Sequence, residues 1–167
     1  MTEPFDPNDP AGVQALAQLL VARGWRMATA ESCTGGLIAA TCTALSGSSA
    51  WFDRGVVTYS NEAKSELLGV PSELIATHGA VSQPVALAMA EGALQRSRAQ
   101  VAVAVTGIAG PTGGTPDKPV GTVWIAWAVQ GAPAHAVRHQ FPGGRAEVRD
   151  ATVNDALAGL RRRLAPL

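Results

Sequence analysis

Residues 101–105 read VAVAV and run directly into TGIAGPTGGTPDKPVG at 106–121. An unbroken apolar run rich in β-branched residues suits a strand covered on both faces, as found inside a layered α/β sheet. The segment after it holds too much glycine and proline for a regular element. It reads as a long shaped loop, a kind that usually carries function.

Upstream of this strand, residues 82–97 predict a helix whose Val85, Ala88, Met89 and Gly92 make a face slim enough to lie close against a sheet. A short helix over 71–77 precedes it. WFDRGVVTYS at 51–60 contains a strand from Gly55 to Tyr59, and SNEAKSELLG at 60–69 is a helix begun by Ser60 or Asn61 and stopped at Gly69. Earlier still, WRMATA at 25–30 is a short buried strand entering ESCTGG, and GLIAATCTAL from about Gly35 is a helix of small residues. The first helix is expected to start at Asp9-Pro10, bury Val13, Leu16 and Leu20, and stop at Arg23-Gly24.

Downstream, residues 120–129 and 134–140 read as an antiparallel pair turning at Gln130-Gly131. A closing helix from about Arg145 directs Val148, Thr152, Val153, Leu157, Leu160 and Leu164 inward, with Arg161 to Arg163 in its last turn. Alternating strands and helices followed by a late hairpin imply an α/β fold. We expect a three-layer α/β/α sandwich around a mixed, mostly parallel sheet of about five strands. Residues 1–8 are expected to be a flexible N-terminus and 9–167 a single domain.

The chain has 167 residues, 47% hydrophobic and 16% charged, with 13 basic and 13 acidic side chains. That balance supplies no field to attract nucleic acid or an acidic membrane, which leaves a small molecule as the expected partner. Cys33 and Cys42 lack metal-ligand spacing and suggest neither a disulfide framework nor a metal site. The start MTEPFDPNDP has no basic-then-apolar leader, and no run approaches ~18 apolar residues, so a cytoplasmic location is expected.

In an open α/β sheet, ligands bind beyond the carboxyl ends of the strands, where helices present their N-termini. ESCTGG, YSNEAK and TGIAGPTGG should meet there. Ser32 stands at a strand-to-helix turn with Thr34, Gly35 and Gly36 beyond it, where backbone amides could form an oxyanion hole; the alternative is a simple helix cap. Lys64, in the first turn of its helix, could act as base if burial lowers its pKa, and Tyr59 could pass a proton; the alternatives are a solvated charge and a core edge. His78, His135 and His139 lie outside all three segments. Arg145 and Arg149, one turn apart after Pro142-Gly143-Gly144, read either as phosphate anchors or as members of surface ion pairs.

AESCTGG at 30–36, VVTYSNEAK at 56–64, LGVP at 68–71, HGAVS at 78–82, AVTGIAGPTGG at 104–114 and KPVGTVWIA at 118–126 together resemble the CinA C-terminal family. The resemblance runs from about Val13 to Leu164 and implies hydrolysis of nicotinamide mononucleotide to nicotinate mononucleotide and ammonia. It further implies a serine nucleophile at Ser32, a tyrosine at Tyr59 and a lysine at Lys64, with no cofactor or metal. Substrate would be held by Cys33, Thr34, Gly35, Gly36 and Asn61, by the loop residues Thr106, Gly107, Ile108, Ala109 and Gly110, and by Arg145, which follows the Phe-x-Gly segment. Many family members carry a further N-terminal domain, and this chain reads as the standalone form. A homodimer is expected. The rival reading is a nucleotide-responsive module that binds without turnover and recruits a protein partner.

Overall fold

The structure, a computed structural model, describes residue 9 and residues 11–165. The expectation of a flexible segment over 1–8 lies outside the described residues. The first helix, α1 (Val13–Arg23), begins later than Asp9-Pro10 because Gly12 takes φ 65° just before it. Asp9 still acts as its cap from outside, its carboxylate accepting the N–H groups of Gln14 at 2.9 Å and Ala15 at 3.2 Å. Pro10 lies outside the described residues.

Strand β1 (Met27–Glu31) is buried along its whole length. After it, Gly35 and Gly36 take φ 58° and 107°, a region costly for residues with a Cβ, so α2 (Leu37–Thr43) starts only at Leu37. A one-turn 3-10 helix at Ser48–Ala50, unmarked in the sequence pattern, leads into β2 (Phe52–Val57). The strand expected through Tyr59 ends at Val57. Thr58 still donates its N–H to Glu31 O at 2.8 Å, and Ser60 already caps α3 (Asn61–Leu68) by accepting the N–H of Ala63 at 3.1 Å. Helices α4 (Ser72–His78) and α5 (Gln83–Gln95) follow, then β3 (Val101–Gly107), β4 (Thr122–Val129), β5 (His135–Gln140) and α6 (Arg145–Leu164).

The five strands lie in the order β2-β1-β3-β4-β5, with β1 parallel to β2 and β3, and β4 antiparallel to β3 and β5. Four strands therefore run one way and only β4 opposes them. The alternation within VAVAV sets the two faces. Val101, Val103 and Val105 pack with α1, α2 and α6, whereas Ala102 and Ala104 meet α5. The small residues of the second face let α5 lie close, and a Cβ added at Gly92 would collide with the Leu68 carbonyl. On the first face, the Trp127 indole N–H donates to Ala156 O at 2.9 Å and binds β4 to α6. Among the described residues, no helix is long and apolar enough to cross a membrane.

Candidate active site

With β1, β2 and β3 side by side and parallel, their carboxyl ends bring ESCTGG, YSNEAK and TGIAGP to one edge of the molecule. They enclose a cavity of about 240 Å³ lined by Ser32, Cys33, Tyr59, Asn61, Lys64, Ala80, Val81, Thr106, Gly107, Ala109 and Arg145. Of the expected site residues, Thr34, Gly35, Gly36, Ile108 and Gly110 do not line it. Thr34 is wholly buried with its hydroxyl on Glu31, and Gly110 takes part through its carbonyl, which accepts Arg145 Nη1 at 2.9 Å.

Lys64 is 1% exposed, the kind of burial a lysine seldom accepts. Its Nζ lies 3.1 Å from Ser32 Oγ, 2.7 Å from Thr58 O and 3.4 Å from Tyr59 O. Among the described residues no carboxylate comes within ion-pair distance of it. Burial holds the Lys64 pKa below the ordinary lysine value, against a smaller opposing pull from Cys33. As an ammonium, Lys64 donates to all three oxygens. As a free amine it has two N–H groups for the two carbonyls and one lone pair, which then accepts the Ser32 hydroxyl proton. The same contacts that bury the side chain thus aim its basic electron pair at the serine.

The turn bearing Ser32 is held by Glu31 of the ESCTGG motif, by Val105 of β3 and by Arg149 of α6. Glu31, 1% exposed, accepts Thr34 Oγ1 at 2.6 Å and the N–H groups of Ile38 at 2.8 Å and Ala39 at 3.0 Å. It supplies the cap that Gly36 cannot give to α2. Ser32 N–H donates to Val105 O at 3.1 Å, which fixes the nucleophile's backbone to β3. Arg149 contributes from α6, with Nε on Cys33 O and Nη2 on Thr34 O, both at 3.2 Å. Burial pushes the Cys33 thiol up to about 11, so the sulfur beside Ser32 stays protonated at neutral pH.

Tyr59 is 62% exposed, and its phenol oxygen accepts Arg145 Nη2 at 3.2 Å, while its carbonyl faces Lys64. Thr106 spends its hydroxyl on Ala80 O at 2.9 Å, tying β3 to the turn before α5. Ala80 and Val81, part of HGAVS, also line the cavity, and the apolar wall they add is a tertiary product. The histidines are elsewhere: His78 O accepts Lys118 Nζ, and His139 lies 3.3 Å from Asp155 and stacks on Phe141. A larger hollow of about 400 Å³ between α3 and α4 borders Asn61, Glu62, Ser65 and Ile75 but contains no nucleophile paired with a base.

A family model, the CinA C-terminal domain, matches residues 11–164. The chain belongs to the CinA C-terminal domain family. A family member from Escherichia coli strain K12, the nicotinamide-nucleotide amidohydrolase PncC, is 54% identical over 136 residues, 81% of this chain and 82% of that protein. A CinA-like protein of Syntrophobacter fumaroxidans is 51% identical over 150 residues, but this chain spans only 35% of its length. Among solved structures, a CinA superfamily protein of Klebsiella pneumoniae superposes with TM-score 0.87 at 43% identity, covering 91% of this chain and 94% of that one.

Proposed function

We propose that this chain hydrolyses nicotinamide mononucleotide to nicotinate mononucleotide and ammonia, within pyridine nucleotide recycling. The observation that carries the reading is the buried contact between Ser32 Oγ and Lys64 Nζ, with the lysine pKa depressed by that burial. The substrate class comes from the similarity to PncC over 81% of the chain.

In the first half-reaction the free Lys64 amine takes the Ser32 proton as Oγ attacks the carboxamide carbon, and the carbonyl π pair moves onto oxygen. Collapse of that oxyanion breaks the C–N bond. The departing nitrogen takes the proton back from the Lys64 ammonium, with the Tyr59 phenol assisting the relay, and leaves as ammonia. In the second half, water gives a proton to Lys64 and attacks the acyl carbon; the Ser32 oxygen leaves with that proton and nicotinate mononucleotide is released. No step calls for a metal. Arg145, the first residue of α6 and exposed at the cavity rim, sits where a helix N-terminus and a guanidinium both favour a phosphate. The protein is proposed to be cytoplasmic and to act as a homodimer.

Ammonia release from nicotinamide mononucleotide by purified, chelator-treated protein tests the proposal. Stoichiometric turnover that vanishes in Ser32→Ala is expected. Tight binding of the nucleotide with no ammonia would instead identify a binding module.

A further inference from the structure

Cys33 lines the cavity beside the nucleophile, and among the described residues its backbone N–H donates to no oxygen. Behind it two hydrogen bonds run in series. Arg149 Nη2 donates to Thr34 O at 3.2 Å, and Gly35 N–H, across the same peptide bond, donates to Ser32 O at 3.0 Å. The peptides of this turn are trans, so the C=O and N–H of each point in opposite directions. The series is therefore directed. It starts on the guanidinium charge, passes through the Thr34-Gly35 and Ser32-Cys33 peptides, and ends on the N–H of Cys33, a residue that lines the cavity. Arg149 Nε meanwhile holds Cys33 O at 3.2 Å, fixing the next peptide, whose N–H belongs to the fully buried Thr34.

We propose that Cys33 N–H is the donor that receives the oxyanion, and that Arg149 is a positioning residue that aims and polarises it through the two intervening peptides. The inference rests on the amide hydrolysis proposed above. Hydrogen bonds in a chain strengthen one another, by roughly 10–30% per bond, and here a full positive charge stands at the head of the chain. A donor preset toward the place where negative charge develops acts on the transition state and leaves the ground state almost untouched. Arg149 thus governs kcat, whereas Arg145, one turn earlier and at the cavity rim, is free to govern binding. Spacing alone makes the two arginines equivalent.

The test combines turnover with a measurement that needs none. In Arg149→Met, kcat is expected to fall about tenfold with KM nearly unchanged, less than the roughly 10²–10³ that follows loss of a whole oxyanion donor. The same factor is expected with nicotinamide riboside, which lacks the phosphate. A rise in KM confined to the phosphorylated substrate would make Arg149 a phosphate ligand and overturn the inference; so would lower thermal stability with kcat per titrated active site unchanged. Independently, the backbone amide proton of Cys33 should move upfield in the NMR spectrum of Arg149→Met as its polarisation is lost, and an unmoved resonance overturns the proposal even if the wild type releases no ammonia. Arg149→Lys, which carries charge to only one of the two carbonyls, should fall between wild type and Met on both readouts, and it supplies them if Arg149→Met does not fold. Wild type without ammonia release, but with the Cys33 shift as expected, would defeat the amide reading and leave the polarised donor standing.

Discussion

Lys64 Nζ and Ser32 Oγ stand 3.1 Å apart although 32 residues separate them in sequence, and neither side chain is appreciably exposed. The pairing depends on β1 and β2 lying side by side, so that the turn after one faces the first turn of the helix after the other. A serine and an amine placed this way form a nucleophile–base pair without a histidine.

Ser32→Ala should abolish ammonia release while leaving the far-ultraviolet circular dichroism spectrum unchanged, because the fold depends little on this hydroxyl. Cys33→Ala should stay within a few-fold of wild type, since the Cys33 thiol, raised to about 11 by burial, is not a thiolate at neutral pH and its proposed role uses only the backbone. Inactivity of Cys33→Ala alongside an active Ser32→Ala would reverse the assignment of the nucleophile.

Lys64→Arg keeps the charge but cannot provide a neutral base, so it should be nearly as inactive as Lys64→Ala. The wild-type rate should rise with pH through an ionisation below that of free lysine, because only the deprotonated amine accepts the serine proton. Stability should report the same group. Between the depressed folded pKa and the unfolded value near ~10.4, the unfolded chain binds a proton that the folded chain does not, so wild type gains stability with rising pH in that window. Thermal denaturation should show wild type improving against Lys64→Met as pH increases, and a gap that is constant with pH would contradict the depressed pKa.

Arg145→Ala removes the guanidinium that bridges Gly110 O and the Tyr59 hydroxyl at the cavity rim. If that guanidinium holds phosphate, KM for nicotinamide mononucleotide should rise about tenfold or more, with a smaller change in kcat, because a clamp remote from the amide contributes mostly uniform binding. The control is nicotinamide riboside. Equal losses on both substrates would remove the phosphate role and point to Tyr59 as the group disturbed.

Glu31→Gln replaces one acceptor oxygen with an NH₂ group against donors already in place, the N–H groups of Ile38 and Ala39 and the Thr34 hydroxyl. The mismatch should cost about 1–3 kcal/mol of stability, read as a lower midpoint in chemical denaturation. An unchanged midpoint would mean that the turn can hold its shape without the carboxylate.

The sequence alone determined the order of elements, the buried character of VAVAV and the layered class, because helix and strand periods, caps at Ser60 and Gly69 and the late hairpin are written in neighbouring residues. It also placed three motif-bearing segments at one end of the sheet, since a parallel arrangement leaves them no other edge. What the tertiary structure decided is which polar groups face the cavity and in what state. Lys64 could have been a solvated helical charge; packing of α3 against α4 and α5, with Nζ held by Ser32 and by the Thr58 and Tyr59 carbonyls, buried it instead, and burial is what turns an ammonium toward an amine. Arg145 and Arg149 share one helix and one spacing, yet the rotation of α6 on the sheet sends the first to the rim and the second onto the carbonyls of Cys33 and Thr34. Strand β2 stops before Tyr59, and α1 starts after Gly12, for similarly specific reasons of hydrogen bonding and φ. Local patterns fix elements because their forces act within a few residues. Partners and pKa values follow from contacts between residues distant in the chain, and these exist only once the layers have packed.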